Sequence, residues 1–381
     1  MKKKLTLLLI LSTFLFSSCQ ERNKEGKGIT ADPQATPETQ NLLVNLKKLT
    51  AKGIMFGHQD DLVYGHGWKY EKGRSDVKDV CGDYPAVYGW ELGHIELGNE
   101  MSLDSVDFSK IRQLIKVAYE RGGVNTISWH ANNPLTGGSA WDVASNEVVK
   151  SILPGGEKHE LFNTWLTRLG NFFLSLKDNN GKPIPVIFRP FHEHTGSWFW
   201  WGQKLCTAEQ YVALWKYMQS FLENMGVHNL LYAYSSGSEF STIAQYLERY
   251  PGDDVIDVMG FDTYEQNRND GRDMYMKILS SCLNVLVKAG EAHHKLIALT
   301  ETGFGGIPDS MWWTKTLWPT IEKYPISYVL VWRNAWNMPN EYFGPFKGQE
   351  SAGDFEEFYR LPRTLFQQDI SGLKLYQKDP R

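Results

Sequence analysis

Residues 186–202 read V-I-F-R-P-F-H-E-H-T-G-S-W-F-W-W-G, and the rest of the chain is organised around them. Val186, Ile187 and Phe188, closed by Pro190, have the composition of a short strand buried on both faces. At its end stand Arg189, His192, Glu193 and His194, then Trp198, Phe199, Trp200, Trp201 and Gly202. A carboxylic acid at the mouth of a buried strand, followed by flat aromatic surface, is placed to work on a sugar. Aromatic faces stack on pyranose rings, and an apolar setting raises the acid's pKa so that it keeps a proton to give away. The competing reading makes Glu193 a core carboxylate paired with Arg189, since structural ion pairs also perturb carboxylates. The stretch alone does not choose between them.

Working outward, apolar runs at 53–58, 86–93 and 123–130 precede this strand, which itself starts near Ile184. Runs at 230–237, 255–264, 295–303 and 326–335 follow it. Helical spacing of apolar residues fills the intervals at 39–49, 107–121, 159–176, 208–225, 242–249, 273–289, 312–323 and 355–366. Gly122-Gly123 and Gly226 are helix stops. Eight apolar strands alternating with helices, nearly all without a period of two, predict a parallel sheet covered on both sides. Over this length the simplest closure is an α/β (β/α)8 TIM barrel. A doubly wound open sheet is the alternative, but no G-x-G-x-x-G turn follows the first strand.

Active sites of such barrels lie at the C-terminal ends of the strands. Those ends read His58, Glu91, His130, His192-Glu193, Ser235-Ser236, Asp262-Thr263-Tyr264, Glu301 and Trp332-Arg333-Asn334. Polar or aromatic residues at all eight ends, each after an apolar run, define one polar mouth. Glu193 and Glu301 end the fourth and seventh strands, which face each other across the barrel. The aromatic-flanked Glu193 is the better proton donor. Glu301, in T-E-T-G, is placed to receive the hydroxyl of Tyr264, which favours an ionised nucleophile. The rival is a metal site built from His58, His66, His130, His192 and His194. Against it stand the absence of an H-x-H at the first strand end and of an H-E-x-x-H helix. His130 and His192 read instead as neutral donors and acceptors for sugar hydroxyls.

Composition fits this picture. The 381 residues are 42% apolar, enough for one large core, and 40 basic against 44 acidic residues give a net charge of −4. No basic patch of the kind nucleic acid demands is visible. There are 14 Trp, several beside Gly, Asn and Pro in expected loops. Met1–Lys4 and the apolar run 5–16, too short to span a bilayer, form a signal peptide over 1–18. L-F-S-S-C at 15–19 resembles a bacterial lipoprotein box, with cleavage before Cys19 and lipid on its sulfur. Residues 19–40 read as a flexible tether and 41–381 as the catalytic barrel. Cys81, Cys206 and Cys282 show neither metal spacing nor a disulfide framework and read as packing residues.

R-P-F-H-E with G-S-W-F-W-W-G, then G-F-D-T-Y, T-E-T-G and V-W-R-N-A, resemble glycoside hydrolase family 26, from about Gly53 to near the C-terminus. That family belongs to the clan whose acid/base and nucleophile end strands four and seven. The resemblance implies a retaining β-1,4-mannanase acting on mannan, galactomannan, glucomannan or their oligosaccharides, with no metal or other cofactor. It implies Glu193 as acid/base and Glu301 as nucleophile, with His192 and Tyr264 holding substrate and nucleophile at the cleavage point. Trp198 becomes an aromatic platform on the leaving-group side, and His130, Asp262, Trp332 and Arg333 line the glycone side. Trp141, Trp200 and Trp201 are left without a place. A minority of such enzymes act on β-1,3-xylan or mixed-linkage glucan. A glycan-binding lipoprotein with a dead barrel is the non-catalytic alternative, and two intact glutamates on opposite strands argue against it. The lipobox resembles those of Bacteroidota. It implies attachment to the outer membrane through Cys19 alone, on the periplasmic face because Q-E-R-N-K-E after Cys19 lacks a strong acidic run, and the protein is expected to be a monomer. The long loops 132–154 and 338–353 are placed to wall one end of the cleft and favour short products.

Overall fold

A computed structural model describes residues 30–378. The expected signal peptide, Cys19 and the first part of the tether lie outside the described residues. Eight parallel strands form the barrel: β1 (Ile54–Gln59), β2 (Val87–Glu91), β3 (Val124–Trp129), β4 (Val186–Pro190), β5 (Leu230–Ser236), β6 (Val258–Glu265), β7 (Leu296–Phe304) and β8 (Tyr328–Val331). Each pairs with the next in chain order, and β8 closes on β1 with Phe56 opposite Val329. The open sheet is thereby excluded. All eight strand positions match the sequence expectation to within a few residues.

The strands carry two apolar sets because both of their faces are covered. Outward residues such as Phe56, Trp90, Phe188 and Tyr232 pack beneath the surrounding helices. Inward residues Met55, Val87, Val124, Ile187, Leu231, Val258, Leu296 and Tyr328 fill the barrel near the N-terminal ends of the strands. Alternation then places Glu91, Ser128, Arg189, Ser235, Asp262 and Thr300 on the same inward side higher up. The interior thus changes from hydrocarbon at the floor to polar at the mouth. Helix α1 (Pro37–Leu49) plugs the floor. It starts with Thr36 as N-cap and Pro37 in its first turn, and buries Leu42, Leu43, Leu46 and Leu49 against the inward layer. Burying each such leucine stabilises by about 1.5–3 kcal/mol.

Three expectations change. Residues 30–40, read as part of a flexible tether, are folded against the floor. The Ala31 amide donates to Asp257 Oδ1 (2.7 Å), the Thr36 amide to the His228 carbonyl (2.8 Å), and His228 pairs with Asp32 (2.8 Å). The polar composition that suggested a linker is used for capping and docking. The last helix, expected over 355–366, runs instead from Ala352 to Tyr359, and Thr364–Leu365 joins β1 as a short parallel strand. Pro362 explains the break, because the residue before a proline disfavours the helical region. Near Pro319 the helix expected over 312–323 becomes a wide π turn, Trp313–Leu317, before a short helix Trp318–Ile321.

Candidate active site

The corner after β4 is bent by two residues with left-handed backbone, Phe191 (φ 47°) and Glu193 (φ 52°). Such conformations cost a non-glycine residue about 1–2 kcal/mol each. They persist here because the corner is bolted from outside. The Trp201 ring N–H donates to the His192 carbonyl (2.7 Å), the Tyr211 hydroxyl to the Phe191 carbonyl (3.0 Å), and the Glu193 amide to the Ser235 carbonyl (3.0 Å). Trp200, fully buried like Trp201, donates to the Ala131 carbonyl at 2.9 Å. Trp200 and Trp201 are therefore scaffold and not sugar platforms. Trp198, 40% exposed, is the one that faces the cleft, and its ring N–H donates to Glu193 Oε2 at 2.6 Å. Burial raises the Glu193 pKa well above the ordinary range, and the charges of Asp262 and Glu301 push the same way. Glu193 does not pair with Arg189, so the core ion-pair reading of the acid fails.

Arg189 serves the opposite wall. It reaches across the barrel with Nη1 on Asp262 (2.7 Å) and Nη2 on Glu301 (2.5 Å). A register shift between Phe261 and Asp262 lets both Thr300 and Glu301 of β7 meet this cluster. Asp262 accepts additionally from Ser235 (2.9 Å) and Thr300 (2.8 Å), and only 3% of it is exposed. It supports from beneath the wall that carries Glu301. Glu301 accepts from Arg189 on one oxygen and from the Tyr264 hydroxyl on the other. Burial, reinforced by the charges of Glu301 and Glu193, raises the Tyr264 phenol well above its usual value, so it remains a donor.

Glu91, His130 and His192 form a chain along the third wall. Glu91 accepts from Ser128 Oγ (2.6 Å), the His130 amide (2.8 Å) and the Gly93 amide (2.5 Å), and touches His130 Nδ1 at 2.8 Å. His130 Nε2 lies 3.1 Å from His192 Nε2. Burial alone would lower the His130 pKa, but the Glu91 carboxylate raises it above its ordinary value. Burial, with Arg189 and His130 adding to it, holds His192 well below. Protonation is thus favoured on His130 and disfavoured on His192, whereas the sequence reading treated the two rings alike. The role of Glu91 was missed at the sequence level. Its signal was there: W-E ends β2 and W-H ends the neighbouring β3, with Glu91 opposite Ser128 and His130 two residues further on the same side.

The remaining candidates separate clearly. His58 points outward to Asp61 (2.9 Å), His66 stacks on Phe346 at 3.8 Å, and His194 is buried between Tyr211 and Tyr234. Among the described residues no three His, Cys, Asp or Glu are grouped to hold a metal. Trp332 and Tyr264 line a hollow of about 440 Å³ with Phe343 and Phe304. Arg333 ties the loop after β2 to the loop after β8 through Asp104 (3.4 Å) and Glu341 (2.7 Å). Trp141, 48% exposed, stacks over His130 with centroids 5.2 Å apart. Cys206 and Cys282 are buried and Cys81 partly so, all as free thiols.

The family model described as glycosyl hydrolase family 26 matches residues 31–341. A solved GH26 β-mannanase from Bacteroides ovatus is 53% identical, with a TM-score of 0.88 over 91% of this chain and 99% of that one. GH26C from Muricauda is 32% identical at a TM-score of 0.84, over 93% and 97%. A mannan endo-1,4-β-mannosidase of Bifidobacterium adolescentis is 31% identical over 88% of this chain, which spans only 35% of that protein's length. One from Bacillus subtilis strain 168 is 26% identical over 88% and 91%. With two glutamates ending β4 and β7 of a (β/α)8 barrel and these matches over most of its length, the chain belongs to glycosyl hydrolase family 26.

Proposed function

We propose that this chain is a retaining β-1,4-mannanase. The observation that carries the reading is the unequal setting of its two glutamates. Glu193 is held in a form that keeps a proton, while Glu301 is gripped on both oxygens by a guanidinium and a phenol. In the first step a Glu301 oxygen attacks the anomeric carbon as the bond to the leaving sugar breaks, and Glu193 gives its proton to that departing oxygen. In the second, Glu193 takes a proton from water, which attacks the same carbon and frees Glu301. Trp198 both supplies a stacking face on the leaving side and orients Glu193. His130, His192, Trp332 and Arg333 hold the glycone. The relatives' activity supports mannan as substrate, ahead of mixed-linkage glucan or β-1,3-xylan.

The Asp104–Arg333–Glu341 tie joins two loops at the glycone end and favours short products there. The lipobox supports an anchor through Cys19 at the periplasmic face of the outer membrane, and a monomer is the expected state. The test is digestion of mannan and mannohexaose by wild type, Glu193→Ala and Glu301→Ala, with products resolved by size and anomeric form. Loss of cleavage in both variants with mannan still bound, and release of the β-anomer by wild type, is the expected result. Binding without cleavage by the wild type overturns it, and cleavage of another β-glycan instead of mannan overturns the substrate.

A further inference from the structure

The floor of the barrel carries a charge pattern that catalysis does not use. Lys48 and Lys52, at the end of α1 and just beyond it, and Lys374 and Lys378 of the C-terminal segment line one groove of about 640 Å³. Asn45, Leu49, Leu373, Leu375 and Gln377 complete its walls, and no carboxylate is among the described residues that line it. All four lysines are exposed, in a chain whose net charge is −4. Leu373, 38% exposed, stands among them. Asp253, Asp254, Asp257 and Glu291 line the neighbouring hollows beside Lys47 and Lys295. The groove is built and not incidental, because Asn45 Nδ2 donates to the Leu375 (2.8 Å) and Gln377 (2.9 Å) carbonyls and so fixes α1 against the C-terminal segment.

The chain also enters the fold on this face, where Ala31 docks on Asp257 ahead of β6. Cys19 and Thr30 are eleven positions apart, a reach of at most about 40 Å. A lipid on Cys19 therefore keeps the floor near the bilayer. We propose that the lysine groove docks on an anionic phospholipid surface, turning the mouth away from the membrane. The inference rests on the Cys19 anchor and not on the sugar specificity. A lysine near such a surface strengthens attachment about fivefold, so four together set an orientation that a single flexible anchor leaves free.

The test uses the full chain from residue 19 with Cys19→Ser, sedimented with vesicles of phosphatidylcholine alone or containing phosphatidylglycerol. The expected result is binding to the anionic vesicles only, released by high salt. Lys48→Glu, Lys52→Glu, Lys374→Glu and Lys378→Glu combined should weaken binding at least about tenfold with glycan hydrolysis unchanged, and the four Lys→Arg replacements should retain it. Equal binding to both vesicles, no binding to either, or wild-type binding by the glutamate variant overturns the proposal. So does loss of activity on polymeric substrate when the wild type is vesicle-bound, which would put the mouth at the membrane. The vesicle arms read out even if mannan proves not to be the substrate.

Discussion

At the floor of the barrel the inward side chains are Met55, Val87, Val124, Ile187 and Leu231, sealed by Leu42, Leu43, Leu46 and Leu49 of α1. On the same strands, two turns of the alternation higher, they are Glu91, Ser128 and Ser235, with Arg189 between. The floor is hydrocarbon in ordinary backbone conformations. The mouth holds two carboxylates on one buried guanidinium and bends non-glycine residues such as Phe191 and Glu193 into left-handed backbone. The difference teaches where the cost of the chemistry is carried. Burying like charges and strained corners destabilises the mouth, and the apolar floor and the tryptophan-bolted shell around it offset that cost.

If this division of labour holds, changes at the two ends fail in different measurements. Glu301→Gln should lower kcat at least about 10³-fold, since it removes the nucleophile outright. Its melting temperature should stay near the wild-type value, because the amide oxygen still accepts from Arg189 and the Tyr264 hydroxyl can turn to accept from the amide nitrogen. A melting loss as large as that of a floor mutation would break the comparison. Leu46→Ala is that floor mutation. It empties a fully buried site under the barrel and should cost about 2–5 kcal/mol in denaturant unfolding. Its kcat/KM below the melting transition should be unchanged, and a matching loss of activity would show that floor and mouth are coupled.

Sequence reading recovered the eight strands because each is a short apolar run cut off by a polar residue, and it placed Glu193 and Glu301 at the ends of β4 and β7 because each stands at such a cut. It did not recover what Arg189 does. From the sequence its nearest carboxylate is Glu193, four positions on. In the fold it turns inward to Asp262 and Glu301, which meet it only because β6 and β7 slip register at Phe261. The aromatic cluster misled for a related reason. Trp198, Trp200 and Trp201 are equivalent as letters, yet the bend at Phe191 and Glu193 sends one to the cleft and two under the corner. Such bends depend on contacts from Tyr211 and Ser235, far along the chain. The break at Pro362 was legible and went unread.

Within the mouth, Glu91→Gln should lower kcat/KM by about 10–100-fold, as loss of a buried partner that orients a substrate-side group does. It also has a stability signature. Glu91 is held down to about 2 from an ordinary 4.5, net of burial pushing it up, chiefly by the charge of His130. Its contribution is present above 4.5 and lost as pH falls towards 2. His130 is raised above its ordinary 6.5, so its contribution is complete below 6.5 and fades as pH rises through the raised value. The pair thus stabilises most between about pH 4.5 and 6.5, and the wild-type-minus-variant difference in unfolding free energy should peak there. A difference flat across pH would mean that His130 is neutral.

The smallest expected effect is the sharpest test of the acid. In Trp198→Phe the stacking face remains but the ring N–H that donates to Glu193 is lost. That donor pulls the Glu193 pKa down against burial and the charges of Asp262 and Glu301. Removing it should let the pKa rise further. Activity needs the protonated acid, so it falls as pH climbs through this value, and the alkaline limb of kcat/KM should move to higher pH. A shift of about half a unit to one unit is the scale of one lost hydrogen bond to a carboxylate. KM for short substrates should rise little, because the phenyl ring still stacks. An alkaline limb that stays in place would mean that a group other than Glu193 sets it. A limb that moves to lower pH would mean that the indole acts on Glu193 mainly by excluding water, so that opening the site lowers the desolvation that keeps the acid protonated.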